Sequence, residues 1–146
     1  MSKGMDLRDA KATLMEPDAL AVLALSAYEP TEEKMKKRAA AHQEDSGVSA
    51  YGCWKDGRLT GLVVLRSQTD GLEILSIGVL PETRGHGVAS ALLDHTREVM
   101  HPRKLVAETD DDAVGFYRRY GFDIQSLGEK YPGVVRYRCT LSCTGY

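Results

Sequence analysis

Residues 72–93 read LEILSIGVLPETRGHGVASALL, and the change of period inside this stretch decides the fold. Leu72 to Val79 alternates among apolar β-formers, the pattern of a partly buried central strand. After Pro81 the spacing turns helical from about Gly87, with Ala89, Leu92, Leu93, Thr96 and Met100 on one stripe, and His101-Pro102 ends the helix. A strand therefore passes to a helix through a loop that holds two glycines and an arginine. Free N–H groups at a helix N-terminus, aided by the helix dipole, bind phosphate oxygens without a metal, and glycines let a phosphate approach closely. Gly85 and Gly87 sit where those amides would be, and Arg84 adds positive charge beside them.

Upstream, Asp56-Gly57 separates two strand-like runs, Val48 to Trp54 and Leu59 to Leu65, which is a hairpin signal. A turn at Thr69-Asp70-Gly71 then leads into Leu72, so these strands form an antiparallel meander. The first third reads as helical. Asp18 is placed to cap a helix with Leu20, Leu23, Ala24 and Ala27 on one face, and Pro30 and Thr31 open a second. In that second helix Glu32 and Glu33 precede Lys36, Lys37 and Arg38, the charge order that suits the helix dipole.

Downstream, Lys104 to Glu108 is a short strand, and Asp112 is placed to cap a short helix through Tyr120, with Gly121 at the left-handed C-terminal position. Phe122 to Leu127 and Val134 to Leu141 read as two closing strands. The order is α, α, β, β, β, α, β, α, β, β, with room for a first strand near Met5 to Arg8.

At 146 residues the chain is expected to be one domain, 1–146, and no internal repeat or linker divides it. Its 42% hydrophobic and 27% charged content argues against disorder. A net charge of -2 argues against a nucleic-acid partner, which calls for an excess of Lys and Arg. Apolar runs such as Ala19 to Ala27 are too short to cross a bilayer, so no membrane role and a cytoplasmic location are expected. Cys53, Cys139 and Cys143 are too few for a secreted disulfide framework, and no Cys or His pairs show zinc-ligand spacing, so no metal is expected.

The segment Arg84-Gly85-His86-Gly87-Val88-Ala89 resembles the Arg/Gln-x-x-Gly-x-Gly/Ala signature of the GNAT superfamily of acetyltransferases. The preceding strand ending Val-x-Pro and a later Ala-x-x-x-Tyr-x-x-x-Gly-Phe, here Ala113 to Phe122, resemble the family too, so the motifs span about Leu72 to Phe122. The resemblance implies an α/β (α+β) fold. Its sheet would be mixed and mostly antiparallel, with a V-shaped splay between two central strands and helices on both faces. It also implies acetyl-CoA as cosubstrate, held by Arg84, Gly85, His86, Gly87, Val88, Ala89 and Ser90, with pantetheine lying in the splay against the Ile77 and Val79 backbones.

Gly78 lies near the end of that strand, where an interior glycine marks a bulge or the close approach of another backbone. Relatives have a bulge there that parts the strands; the plainer reading is packing beneath a helix. An N–H near Val79 would face the thioester carbonyl, a fixed donor worth several kcal/mol in the transition state.

An alkylammonium has a pKa of about 10.4, so an amine acceptor must first lose a proton. Glu73 is the candidate base, at a position where several relatives carry a basic glutamate; the alternative is an exposed strand glutamate. Tyr117, at the tyrosine of the second motif, is the candidate acid for the departing thiolate, or else a packing aromatic like Phe116 and Tyr120. Many relatives carry an Asn that contacts the cofactor seven residues before this tyrosine, whereas this chain has Asp110. An ionised carboxylate accepts but does not donate, so Asp110 is a cofactor contact, an attractor of a cationic amine, or, with Asp111 and Asp112, a solvated capping acid.

The activity implied is transfer of acetyl to a primary amine by direct attack in a ternary complex, on a small molecule or a protein amino group. The acceptor would be held by helices near Asp18 to His42 and the loop Gly128 to Val134. A non-catalytic acyl-CoA sensor is the alternative, because a fold does not establish an activity. Two rivals are weaker. A dinucleotide-binding unit would want a third glycine where Ser90 stands, and Cys53 as a nucleophile has no His recognisably beside it. Exposed strand edges leave a homodimer open.

Overall fold

A computed structural model describes residues 5–143. One seven-stranded sheet runs through it in the order β1-β2-β3-β4-β5-β7-β6. Its strands are β1 (Asp6–Asp9), β2 (Val48–Lys55), β3 (Arg58–Gln68), β4 (Gly71–Val79), β5 (Lys104–Thr109), β6 (Asp123–Tyr131) and β7 (Val134–Ser142). Every adjacent pair is antiparallel except β4 and β5, which are parallel. The helices are α1 (Pro17–Ala24), α2 (Glu32–Glu44), α3 (Val88–Met100) and α4 (Val114–Tyr120), so the predicted element order and the mixed, mostly antiparallel fold hold.

Strand β3 shows how the period of two builds a three-layer molecule. Val63 and Leu65 join a core with Val88, Leu92 and Leu93 of α3 and Tyr117 of α4, while Leu62 and Val64 join a second core with Val22 and Leu23 of α1 and Met35 of α2. All four β3 residues are fully buried, the pattern of a strand covered on both faces. The β2–β3 turn is as the sequence suggests: Asp56 and Gly57 both have positive φ, 52° and 79°, which a two-residue turn matching the twist of the strands requires.

The two central strands part almost at once. β4 and β5 are in register only at Leu72↔Leu105 and Glu73↔Val106. Just beyond, the β3–β4 register shifts, with Leu65 opposite Ile74 and Val64 opposite Ser76, which leaves Leu75 as the extra residue. The bulge expected at Gly78 is thus at Leu75. Its effect is visible in the packing: Leu72 and Ile74 belong to the α3 side, Leu75 packs on the α1 side, and Ile77 and Val79 return to the α3 side. Gly78 serves the plainer purpose, since a Cβ there would lie 3.1 Å from both the Cγ1 and the carbonyl oxygen of Val22. The missing side chain lets α1 lie directly on β4.

Three local expectations are corrected. Asp18 does not cap α1; Glu16 is the N-cap residue, Pro17 takes the first helical position that tolerates a missing N–H, and the buried face is Ala19, Val22 and Leu23. Asp112 does not cap α4; Asp110 Oδ1 accepts from the N–H groups of Asp112 and Ala113, at 3.0 and 3.3 Å. Residues 128–134 are not a loop, because β6 continues to Tyr131 through two register shifts and turns at Gly133, whose φ is 79°. The Thr31 cap of α2 does form, accepting from the Lys34 N–H at 3.1 Å.

The joint between β4 and β5 depends on a glycine. A Cβ on Gly71 would fall 2.1 Å from the Lys104 carbonyl oxygen, a backbone atom that cannot swing aside. Gly71→Ala is therefore expected to lose about 1–3 kcal/mol, as overpacking does, and denaturant unfolding measures it.

Candidate active site

The polar backbone freed by the splay is the first element of the site. The Leu80 N–H donates to the Thr60 carbonyl of β3 at 2.8 Å. Because successive residues of an antiparallel strand turn their N–H and C=O to opposite edges, Val79 and Ile77 turn theirs away from β3, toward the gap left by β5. The Val79 carbonyl is indeed taken by a different partner, the Arg84 Nε, at 3.2 Å.

The second element is the start of α3. After a short 3-10 turn at Pro81–Thr83 the chain passes through Gly85 and Gly87 at φ 85° and 77°. An added Cβ would meet nothing within 4 Å at either, so the left-handed backbone and not crowding calls for glycine, and neither amide donates a backbone hydrogen bond among the described residues. Gly87 is the N-cap residue and no side chain caps the helix. The first helical bond runs from the Ala91 N–H to the Gly87 carbonyl, so the amides of Val88, Ala89 and Ser90 have no intrahelical acceptor. Gly61 of β3 lets this end of α3 sit close, since a Cβ there would come 2.6 Å from Val88 Cγ1. This glycine was not singled out from the sequence, although an interior strand glycine is a signal of close approach.

Tyr117 supplies the third element. It is 4% exposed, in the core that also takes in Val88 and against which Ile77 and Val79 pack. Its ring is held edge-on by Phe116 at 5.2 Å and Phe122 at 5.1 Å. Burial, and then the neighbouring Cys139 thiol, pushes the phenol well above the ordinary tyrosine range, so the side chain keeps its proton. No hydrogen-bond partner of this hydroxyl is found among the described residues. Tyr120, by contrast, is tied to α3: its hydroxyl donates to Asp94 Oδ1 at 2.7 Å and receives from Arg97 at 3.3 Å, and its pKa is pushed up to about 12, chiefly by burial.

Ile77, Val79 and Arg84 through Ser90 therefore lie on one continuous path from the splayed strand into α3, and Tyr117 packs into the same core. Asp110 follows β5 directly, at the end of the sheet where β4 also finishes. One of its oxygens is committed to the start of α4, and its carbonyl accepts from Val114. Asp111 accepts from the Tyr137 hydroxyl at 2.6 Å and so holds this turn to β7. Glu73 stands apart, half-buried at the closed end of the gap, on the face of α1 and α2, with Gln68 donating to it at 3.2 Å.

Cys53 is fully buried, and burial pushes its thiol up, away from the thiolate a nucleophile needs. It shares with His86 a cavity of about 350 Å³ on the β2 side of the loop. Cys53, Cys139 and Cys143 are free. Among the described residues no group of three or more His, Cys, Asp or Glu is disposed to hold a metal ion, and no helix is long and apolar enough to cross a membrane.

A sequence model of the acetyltransferase (GNAT) family matches residues 17–122. No curated protein matches the sequence. Among solved structures, the ribosomal-protein-S18-alanine N-acetyltransferase of Escherichia coli is similar at a TM-score of 0.78 and 16% identity, over 97% of this chain and 96% of that one. A GNAT family acetyltransferase of Elizabethkingia anophelis, with acetyl-CoA bound, is similar at 0.70 and 19%, over 96% and 99%. The spermidine/spermine N-acetyltransferase of Vibrio cholerae is similar at 0.69 and 20%, over 98% and 95%.

A valine at Gly87 would have to adopt a left-handed backbone costing ~1–2 kcal/mol, and the loop escapes that strain by giving up its geometry. Gly87→Val is expected to weaken coenzyme A binding about tenfold or more, read by calorimetry, while the melting temperature changes little.

Proposed function

The chain belongs to the acetyltransferase (GNAT) family, which makes it an acetyl-CoA-dependent acyltransferase, and from that premise we propose that it moves acetyl to a primary amine by direct attack within a ternary complex. The observation that carries this reading is the pair of open amide arrays: the uncapped start of α3 and the edge of β4 turned toward the gap. One suits a diphosphate, the other an amide-bearing chain laid along a strand. The proposed unit is a single domain spanning residues 1–146.

Acetyl-CoA supplies an acetyl group already activated as a thioester. In this reading Gly85 through Ser90 offer backbone N–H groups to the diphosphate, and Arg84, anchored on Val79, adds charge at the same place. The Ile77 and Val79 backbones pair with pantetheine, and Asp110 contributes its uncommitted oxygen from across the gap. The Val79 N–H faces the thioester oxygen, where a fixed donor contributes several kcal/mol as negative charge develops. Tyr117, kept protonated by burial, gives its proton to the departing thiolate as the C–S bond breaks, and the proton that the nitrogen loses as the amide forms restores the phenol. Glu73 takes the proton of the incoming ammonium. It precedes Val79 by six residues, at most roughly 20 Å of extended strand, so in this reading the proton reaches it along a chain of several waters and not by contact.

The acceptors named for the Escherichia coli and Vibrio cholerae enzymes, an alanine of ribosomal protein S18 and spermidine or spermine, frame the acceptor panel. Three buried free cysteines are compatible with a cytoplasmic setting, and the β6 edge with a homodimer. Incubation with acetyl-CoA and amines of both kinds, following free thiol, tests the proposal: amine-dependent thiol release is expected. Coenzyme A binding without such release would instead make the protein an acyl-CoA sensor.

Tyr117→Phe is expected to lower kcat by about 10²–10⁴ with little change in the KM for acetyl-CoA. Since burial raises the phenol's pKa, the alkaline loss of activity that belongs to Tyr117 should fall above pH ~10, and a pH–rate profile of the wild type reads it. Glu73→Gln is expected to lower kcat as well, leaving coenzyme A affinity unchanged.

A further inference from the structure

Two hydroxyls that the reading above leaves unused meet at the bulge. Ser76 is the residue after Leu75, on the segment of β4 that has already left β5, and it is only 9% exposed. Its Oγ lies 2.9 Å from the Oγ of Ser26, an exposed residue just past the end of α1. Ser26 is in turn 3.4 Å from the Leu23 carbonyl.

What this pair lacks is a donor from outside. Two hydroxyls bring two O–H donors and four lone pairs. One donor is used between them and the other reaches the Leu23 carbonyl, so both donors have acceptors. Of the four lone pairs only one is taken, and among the described residues no backbone or side-chain N–H donates to either oxygen. A part-buried pair with spent donors and idle acceptors, its inner member Ser76 only 9% exposed, is matched to a ligand that brings N–H groups.

The position fits as well. Ser76 and Glu73 lie on the α1 side of β4, opposite the face that carries α3, and Ser76 stands midway between Glu73 and Val79 along the strand. An acceptor arriving on this face comes to the gap with the start of α3 on the far side. We propose that the Ser26–Ser76 pair orients the acceptor: Ser76 Oγ accepts an N–H of the amine, Ser26 holds that hydroxyl in place, and the nitrogen lone pair is left aimed at the thioester carbon. The assignment rests on the acetyl-transfer reading and names the residues that would receive its second substrate. It favours primary amines, because after one N–H is given to Ser76 another remains to be lost as the amide forms.

The test uses the full chain, the panel amine turned over fastest by the wild type, and four proteins: wild type, Ser26→Ala, Ser76→Ala and the double variant. Ser76→Ala is expected to lower kcat/KM for the amine about tenfold, the loss of roughly one hydrogen bond, while coenzyme A affinity by calorimetry stays within twofold. Ser26→Ala, at an exposed position, is expected to lower it two- to threefold, and the double variant to be no worse than Ser76→Ala alone, since both act through one contact. Ser76→Thr, which keeps the hydroxyl, should recover most of the loss. An amine kcat/KM within twofold of wild type in Ser76→Ala overturns the proposal, as does a parallel fall in amine kinetics, coenzyme A affinity and melting temperature, which marks a packing role. A wild type that binds coenzyme A but acetylates no amine overturns the transfer reading and this assignment together; an active wild type with unaffected variants overturns this assignment alone.

Discussion

Beyond Glu73 the backbone of β4 cannot serve both neighbouring strands. β3 keeps it, through a ladder that accommodates one extra residue at Leu75, and β5 loses it after two register pairs. A strand in the middle of a sheet is thereby given a free edge, and an unpaired row of N–H and C=O groups is what another extended chain needs in order to bind. The rest of the structure can be read as support for this opening: Gly71 packs the closed end against Lys104, Gly78 brings α1 onto the splayed segment, and Ser26 ties to Ser76 beside the bulge.

The same bulge reverses the parity of the strand. Without it Leu72, Ile74, Ser76 and Gly78 would share one face; with it Ile77 and Val79 return to the apolar side under α3, while Leu75 and Ser76 turn to α1. One inserted residue therefore does three things at once. It ends the pairing with β5, keeps apolar side chains over the larger core, and delivers a hydroxyl to the opposite face.

At the other end of β4 the constraint is conformational. Gly85 and Gly87 take left-handed φ values with open space around them, and the amides that follow are neither capped nor bonded within the helix. Uncapped helix starts cost stability, of the order of 1 kcal/mol relative to a good cap. A loop that leaves this term unsatisfied is arranged for a partner from outside, and Arg84, drawn onto Val79, ties the two amide arrays into one surface.

Much of this was legible in the residues. The alternation of Leu72 to Val79, the helical stripe from Gly87, the Asp56-Gly57 turn and the glycine pair beside Arg84 carry local signals, because period, left-handed φ and free amides depend on neighbours in sequence. Helix boundaries near Asp18 and Asp112 are less legible. Several residues there can cap, and the one that does is chosen by where the chain must turn against the sheet: Glu16 precedes Pro17 without any side-chain bond, and Asp110 reaches forward because β5 ends just before it. Only the tertiary structure could decide that the extra residue is Leu75 rather than one beside Gly78, that Gly61 and Gly71 are sites of close approach, and that Ser26 meets Ser76 across 50 positions of chain. A bulge is a mismatch between two strands and a contact is a meeting of two elements, so neither is a property of any one stretch of sequence.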